Sequence, residues 1–290
     1  MHEIEAKVLL SAKNGMNVYR GCEHGCIYCD SRSKCYNMDH DFEDIAVKVN
    51  APQLLEEALL KKNDKCMIGF GSMSDPYTPI EKKLKYTQKC LEIISKHGFG
   101  VSLQTKSDLV LRDLELFKKI NYNAKCVIQM TLTTADDELC KIVEPNVCVT
   151  SKRVEALKTL NENGIPTVVW LTPFLPYIND NEENLKKLLE YCKECNVKGI
   201  IYFGCGLTLR DGNREYYYKM LDKHYPLMKK RYMFEFGNNY EVYRPGKQQT
   251  FKMIIEKFCK ENDIMYNPDD VFYYLNNIEP KKEQLSLFDF

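Results

Sequence analysis

The sequence predicts an α/β fold built on a parallel sheet, and three observations carry that prediction. Short β-rich apolar runs alternate with longer amphipathic runs through most of the 290 residues. The longer runs, such as TQKCLEIISKHG and LKKLLEYCKEC, repeat their apolar positions at three- and four-residue steps, as a core-facing helix requires. Residues that end helices stand at their boundaries. Six strand–helix alternations imply parallel strands joined by crossover helices, in an open doubly wound sheet or in part of a (β/α) barrel.

Taken in order, the first strand is expected over residues 17–21, ahead of a loop rich in glycine and cysteine. A helix over about 52–60, closed by Asn63, leads to the second strand at 67–71. A long helix over about 79–96, closed by Gly98, precedes the third strand at 100–105. A helix over about 109–120 and a strand at 126–132 follow. The next helix, about 151–161, is closed by Gly164 and leads to the fifth strand at 167–172. Asp180 is the expected N-cap of a helix over 182–195, and the sixth strand is at 199–204. Beyond Gly206 the pattern loosens into an aromatic, charged stretch with one more helix over about 248–260. The expected division is a core over 1–210, an α-rich C-terminal extension over 211–266 and a flexible tail over 267–290.

The composition narrows the classes. Hydrophobic content of 44% and charged content of 28% are ordinary for a soluble globular protein. The 41 basic residues balance 41 acidic ones, which argues against a histone-like nucleic-acid binder but allows a local basic face. No run approaches the roughly 18 apolar residues of a membrane span. The opening MHEIEAKVLLSAKNG carries early acids and no long apolar core, so no secretory signal and a cytoplasmic location are expected. Thirteen cysteines, an odd number spread along the chain, do not fit a secreted disulfide framework. In a reducing compartment they are buried fillers, metal ligands or reactive thiols.

Three of them cluster. Cys22, Cys26 and Cys29 form a C-x3-C-x2-C loop in YRGCEHGCIYCDSRS, directly after the first strand. Gly21 and Gly25 give the backbone freedom for a sharp path that directs three thiolates toward one centre. Three thiolates are one short of closing a structural zinc site or an electron-transfer cubane. A cluster held by three cysteines leaves one iron with an open position, which a catalytic centre needs. Cys35 as a fourth ligand would make a zinc knot instead, although five intervening residues is a long final leg. Glu23, His24 and Asp30 mark the loop as polar, against a chance grouping of core cysteines.

The loop, with Tyr28 just before its last cysteine, resembles the signature of the radical S-adenosylmethionine (SAM) superfamily. The resemblance implies a partial (β/α)6 TIM-like barrel and a 4Fe–4S cluster whose open iron chelates SAM. It also implies reductive cleavage of SAM to a 5′-deoxyadenosyl radical, fed by an electron donor of the flavodoxin or ferredoxin type. Further segments, GSMSDPYTPIE at 71–81, QTKSDLVLRDLELF at 104–117, QMTLTTADDEL, the EP at 144–145, Arg153 and WLTPFLPYIND, resemble the spore photoproduct lyase-like branch. By that resemblance Tyr28 contacts the adenine and Ser74 the methionine end of SAM, while Lys106 and Thr131 approach its carboxylate and ribose. Ser74 and Asp75 are equally good turn formers before Pro76, and Lys106 has a plain reading as a solvated loop charge. Arg153 either binds SAM or pairs with Glu144. Two departures stand out: Ser72 occupies the place of the lyases' hydrogen-donating cysteine, and Asp30 replaces an aromatic residue. Cys205, at the expected end of the sixth strand, is the alternative hydrogen donor, or else packing. Cys192 and Cys195 fall within a helical pattern and read as packing.

The C-terminal QLSLF resembles the short motif that docks bacterial replication and repair proteins on the DNA polymerase sliding clamp. Gln284 would set register, while Leu285, Leu287 and Phe288 would fill apolar pockets, unless the tip folds back on its own domain. Arg210, Arg214, Lys229, Lys230 and Arg231, interleaved with tyrosines, either meet nucleic acid or cover the open edge of the barrel. The expected function is a radical SAM enzyme acting on DNA or RNA, of a DNA-repair-like lyase or modification type. The same chemistry on a protein or small molecule is one alternative. A non-catalytic, metal-stabilised module recruited to the clamp is another.

Overall fold

The computed structural model describes residues 1–278. The chain opens with strands β1 (His2–Ile4), β2 (Gly15–Met16), β3 (Tyr19–Arg20) and β4 (Ala46–Lys48). Helix α1 (Ala51–Leu60), strand β5 (Met67–Phe70) and helices α2 (Glu81–Leu84) and α3 (Tyr86–His97) come next. Strand β6 (Gly100–Thr105), helix α4 (Leu114–Asn123), strand β7 (Cys126–Thr131) and helices α5 (Asp137–Val143) and α6 (Thr150–Glu162) follow. Strand β8 (Thr167–Trp170), helix α7 (Glu182–Glu194) and strand β9 (Gly199–Ile201) complete the alternation. The C-terminal part comprises β10 (Gly206–Thr208), α8 (Asn213–His224), α9 (Met228–Phe236), β11 (Glu241–Tyr243), α10 (Pro245–Glu261) and α11 (Pro268–Asn276).

Six parallel strands pair in the order β2-β5-β6-β7-β8-β9, each beside the preceding strand of that sheet. That one-way winding is the topology of a (β/α) barrel, and the sheet stays open between β2 and β9. The expected partial barrel is therefore present. Alternate residues of each strand separate its two faces. On β7, Ile128 and Met130 join the core under the helices, whereas Val127 packs with Val168 of β8 and with Val271 and Leu275 of α11. Gln129 lies on the same face as Val127, where it donates to Ser102 Oγ at 2.8 Å and accepts from Trp170 Nε1 at 2.8 Å. Thr131 follows at the strand's C-terminal end. The concave face thus passes from an apolar floor plugged by α11, through a polar layer, to the mouth. The mouth is where a site can form.

Several elements differ from expectation. The first barrel strand ends at Met16 rather than running over 17–21. The side chain of Asn17 accepts from the Met73 and Ser74 amides, and Tyr19 and Arg20 turn away to pair antiparallel with β4. The long second helix is broken at Lys85, whose φ is 58°. The helix expected over 109–120 begins as a 3₁₀ turn at Asp108–Asp113. Asn181 caps α7 by accepting from the Asn184 amide, while Asp180 accepts from the Tyr177 amide and Arg244. Residues 268–276, placed in the tail by the sequence, form α11, because Val271 and Leu275 give it an apolar face. No described helix is long and apolar enough to cross a membrane.

Candidate functional site

The cysteine loop leaves β3 through Gly21, whose φ is 89°. A β-carbon there would stand 2.5 Å from the Phe42 carbonyl oxygen, so only glycine permits the approach. The next amide, Cys22 N–H, donates to that same carbonyl at 3.0 Å. Ile27 N–H donates to Val143 O at 3.0 Å, and Asn146 N–H donates to His24 O at 3.1 Å. The loop is therefore bolted to the α5–α6 connection as well as to the loop before β4. Cys22 and Cys26 are buried and Cys29 half-buried.

His24, between the first two cysteines, is buried against Asp75, with Nδ1 3.4 Å from Oδ2. Burial works against its charge, yet Asp75 and Cys22 hold the imidazole at about 10, and it is protonated at neutral pH. Burial also opposes ionisation of Cys22, but the His24 charge outweighs it and holds the thiol below its ordinary value. Asp75 itself accepts from the Tyr77 amide at 2.8 Å, the Lys106 amide at 2.8 Å and Thr105 Oγ1 at 2.7 Å. Against the cost of burial, His24 and these donors hold its carboxyl at about 2. Lys106 stays charged despite burial because Cys26, Glu144, Asp75 and Cys29 surround it.

A second buried unit backs Tyr28. Its hydroxyl donates to Glu144, and the other Glu144 oxygen meets the Arg153 guanidinium. Arg153 is fully buried and also donates to Thr131 O at 2.8 Å and Cys148 O at 2.9 Å. Arg153 makes the Glu144 pair that one of its two readings expected.

Beside the loop lies a cavity of about 530 Å³, lined by Tyr28 and Cys29 together with Cys205, Phe203, Tyr243 and Gln248. Burial pushes the Cys205 thiol up to about 12, so it carries its hydrogen at neutral pH. Cys192 and Cys195 are wholly buried core residues, as expected.

The remaining sequence candidates are placed as follows. Ser74 is buried and its hydroxyl donates to Gly21 O, so it braces the loop. Asp75, read as a turn former, is one, but it is also the hub between His24 and Lys106. Thr131 Oγ1 is buried at the mouth with no protein partner. Among the described residues, no three of Cys22, Cys26, Cys29 and Cys35 bring their sulfurs within 4.8 Å of one another. Donors for a single ion need to be closer than that, whereas a multi-iron cluster takes each thiolate on a different iron. Cys26 is in electrostatic reach of both Cys22 and Cys29, so the three loop thiols are neighbours, while Cys35 is exposed. Arg214 donates to backbone oxygens of Leu209, Gly237, Asn238 and Asn239, and Tyr217 and Tyr232 pair hydroxyls in the core. Tyr217 and Tyr232 of this stretch share a buried cluster with Ile27, Tyr28 and Leu175. Gln284, Leu285, Leu287 and Phe288 lie outside the described residues. Sequence reasoning missed His24 as a charged partner, although its place between two cysteines was a signal. It also missed Phe203, Tyr243 and Gln248, which had none.

The chain matches the radical SAM superfamily over residues 16–192. It is 39% identical over 173 residues to an uncharacterized protein of Methanocaldococcus jannaschii, covering 59% of this chain and 64% of that protein. Spore photoproduct lyase with bound AdoMet and dinucleoside spore photoproduct superposes with a TM-score of 0.62 at 12% identity, over 91% of this chain and 80% of that one. Streptococcus suis SuiB bound to precursor peptide SuiA superposes with a TM-score of 0.53 at 11% identity, over 90% of this chain and 49% of that one. The two superpositions establish a shared fold. The family match, over more than half the chain and including the cysteine loop, shows that the protein belongs to the radical SAM superfamily, whose members use a 4Fe–4S cluster and S-adenosylmethionine.

Proposed function

We propose that Cys22, Cys26 and Cys29 hold the cluster and that the chain performs radical chemistry on a nucleic-acid substrate in the cavity before it. When bound, the cluster and SAM supply a 5′-deoxyadenosyl radical for hydrogen abstraction. The observation that carries the proposal is a single cavity whose lining includes Cys29 and Tyr28 of the loop together with Cys205. Lys106, the cation beside Cys26 and Cys29, binds the SAM carboxylate by a charge-assisted contact. The unpartnered Thr131 hydroxyl serves the ribose end. Arg153 acts through Glu144 as a positioning residue for Tyr28.

Cys205 donates a hydrogen atom from Sγ to a carbon radical on the substrate. A C–H bond forms, an S–H bond breaks and a thiyl radical is left on the sulfur. Phe203 and Tyr243 are exposed aromatic walls on which a base can stack. The lyase neighbour's bound dinucleoside supports that substrate class.

The deciding experiment supplies damaged DNA, tRNA and peptides to the reconstituted protein in deuterated solvent, with SAM and a flavodoxin or ferredoxin. Deuterium in a nucleic-acid product supports the proposal. Label in a peptide alone assigns the substrate to the other class, and iron-loaded protein that does not cleave SAM removes the enzymatic reading. The proposal includes clamp docking by residues 284–288, with a cytoplasmic location. A clamp pull-down unaffected by deleting residues 284–290 ends the docking proposal.

A further inference from the structure

A second group of metal-type donors sits on the small sheet, away from the cysteine cavity. Strand β1 pairs parallel with β4, and His2 N–H donates to Ile45 O at 3.0 Å, which sets His2 beside Asp44. The Asp44 amide closes a turn on Asp41 O at 2.9 Å, and that turn brings in His40. The two imidazoles meet edge to face with centroids 4.8 Å apart. One donor atom from each of His2, His40 and Asp44 lies within 4.8 Å of the others.

The hydrogen bonding of His40 favours a ligand. Its Nδ1 is 3.0 Å from the Asp41 carbonyl oxygen, which can only accept, so Nδ1 carries the proton. In the neutral ring Nε2 is then a bare lone pair, and this atom is buried with no hydrogen-bond partner. Buried polar atoms without partners are uncommon, and a backbone carbonyl fixing the far nitrogen is how metal-binding histidines are oriented. The Asp44 carboxylate faces His2 Nδ1 at 2.9 Å and the Met1 amino group at 2.6 Å.

We propose that His2, His40 and Asp44 form a cation site, with zinc(II) as its ion. Two imidazoles and one carboxylate suit zinc rather than magnesium or calcium, which prefer all-oxygen shells. Three protein ligands leave a fourth tetrahedral position for water. On binding, the cation takes the place of the hydrogen between His2 Nδ1 and Asp44, that proton leaving Nδ1 for solvent while the ring keeps a hydrogen on Nε2, and the side chains draw in to bond lengths of about 2.0–2.2 Å. The ion clips strand β1 to the segment whose Phe42 carbonyl receives the Cys22 amide, and so stiffens the base of the cysteine loop.

The test dialyses cluster-loaded full chain anaerobically against zinc sulfate and measures zinc and iron per chain, with thermal midpoints. Wild type and C35S should each retain one zinc and melt higher with it. H40Q and D44N should bind zinc about tenfold more weakly or worse and show no zinc-dependent rise. Iron content should be the same in all four. Either variant alone suffices if the other does not fold. Equal zinc in wild type, H40Q and D44N overturns the site, as does wild type that retains none. Loss of zinc in C35S, or zinc gained as iron is lost, places the ion on thiols and also overturns it.

Discussion

The Arg153 guanidinium and the Glu144 carboxylate form an ion pair in which both side chains are wholly buried. Its outer oxygen receives the Tyr28 hydroxyl, from 116 residues away in sequence. A buried pair of this kind is favourable only when every remaining donor and acceptor is met. Here Thr131 O, Cys148 O and Tyr28 meet them. The unit ties helix α6, the end of α5 and the cysteine loop together at one point.

Removing one partner leaves a buried charge without compensation. E144A should destabilise the fold by about 3–5 kcal/mol, read as a lower urea midpoint. R153M should cost a similar amount. A loss below about 1 kcal/mol in both variants would show that the pair does not hold the loop.

The same pair makes stability pH-dependent. Burial raises the Glu144 carboxyl, but Arg153 and Lys106 outweigh it, so the folded value lies below the ordinary 4.5. The unfolded chain therefore takes up the proton first on acidification. This contribution is fully present above about 4.5 and is lost as pH falls through the folded value. The thermal midpoint of wild type should fall more steeply than that of E144Q in this acid range. Parallel pH profiles would contradict the assignment.

Iron content separates the cysteines. C22A, C26A and C29A should each lose the cluster after anaerobic reconstitution. C35A and C192A should retain about four irons per chain. Full iron in any of the first three variants would remove that residue as a ligand.

Lys106 should affect SAM rather than iron. K106M removes a charge-assisted hydrogen bond of about 1.5–3 kcal/mol, so SAM should bind roughly 10- to 150-fold more weakly at unchanged cluster content. Unchanged affinity would return Lys106 to a role in balancing the loop thiolates alone.

Cys205 should control the end of the reaction. C205A should keep SAM cleavage but lower product yield by about tenfold or more, with a quenched or rearranged substrate in its place. A serine there should behave like alanine, because an O–H bond is too strong to give up its hydrogen to a carbon radical. Normal product from C205A would leave Cys205 as packing.

Much of the architecture was legible along the chain because its signals are local. Alternating apolar runs located five of the six barrel strands to within a few residues, the first being the exception. The C-x3-C-x2-C spacing located the loop. Errors arose where a distant contact overrode local pattern. Asn17 leaves the sheet to bind amides at residues 73 and 74, and α11 forms because the concave floor of the barrel offers it an apolar face. Ser74 and Asp75 had turn chemistry in sequence, yet their side chains also reach Gly21, Thr105 and Lys106.

The sequence by itself determined the α/β class, the thiolate donor set and the resemblance to radical SAM proteins, since each depends on residue type at short spacing. Only the tertiary structure decided that Arg153 pairs with Glu144, that His24 lies buried against Asp75 and that Cys205 and Cys29 line one cavity. It alone also brought His2 to His40 and Asp44. These relationships join residues far apart in the chain. Their energies come from burial and mutual distance, which exist only once the chain has folded around them.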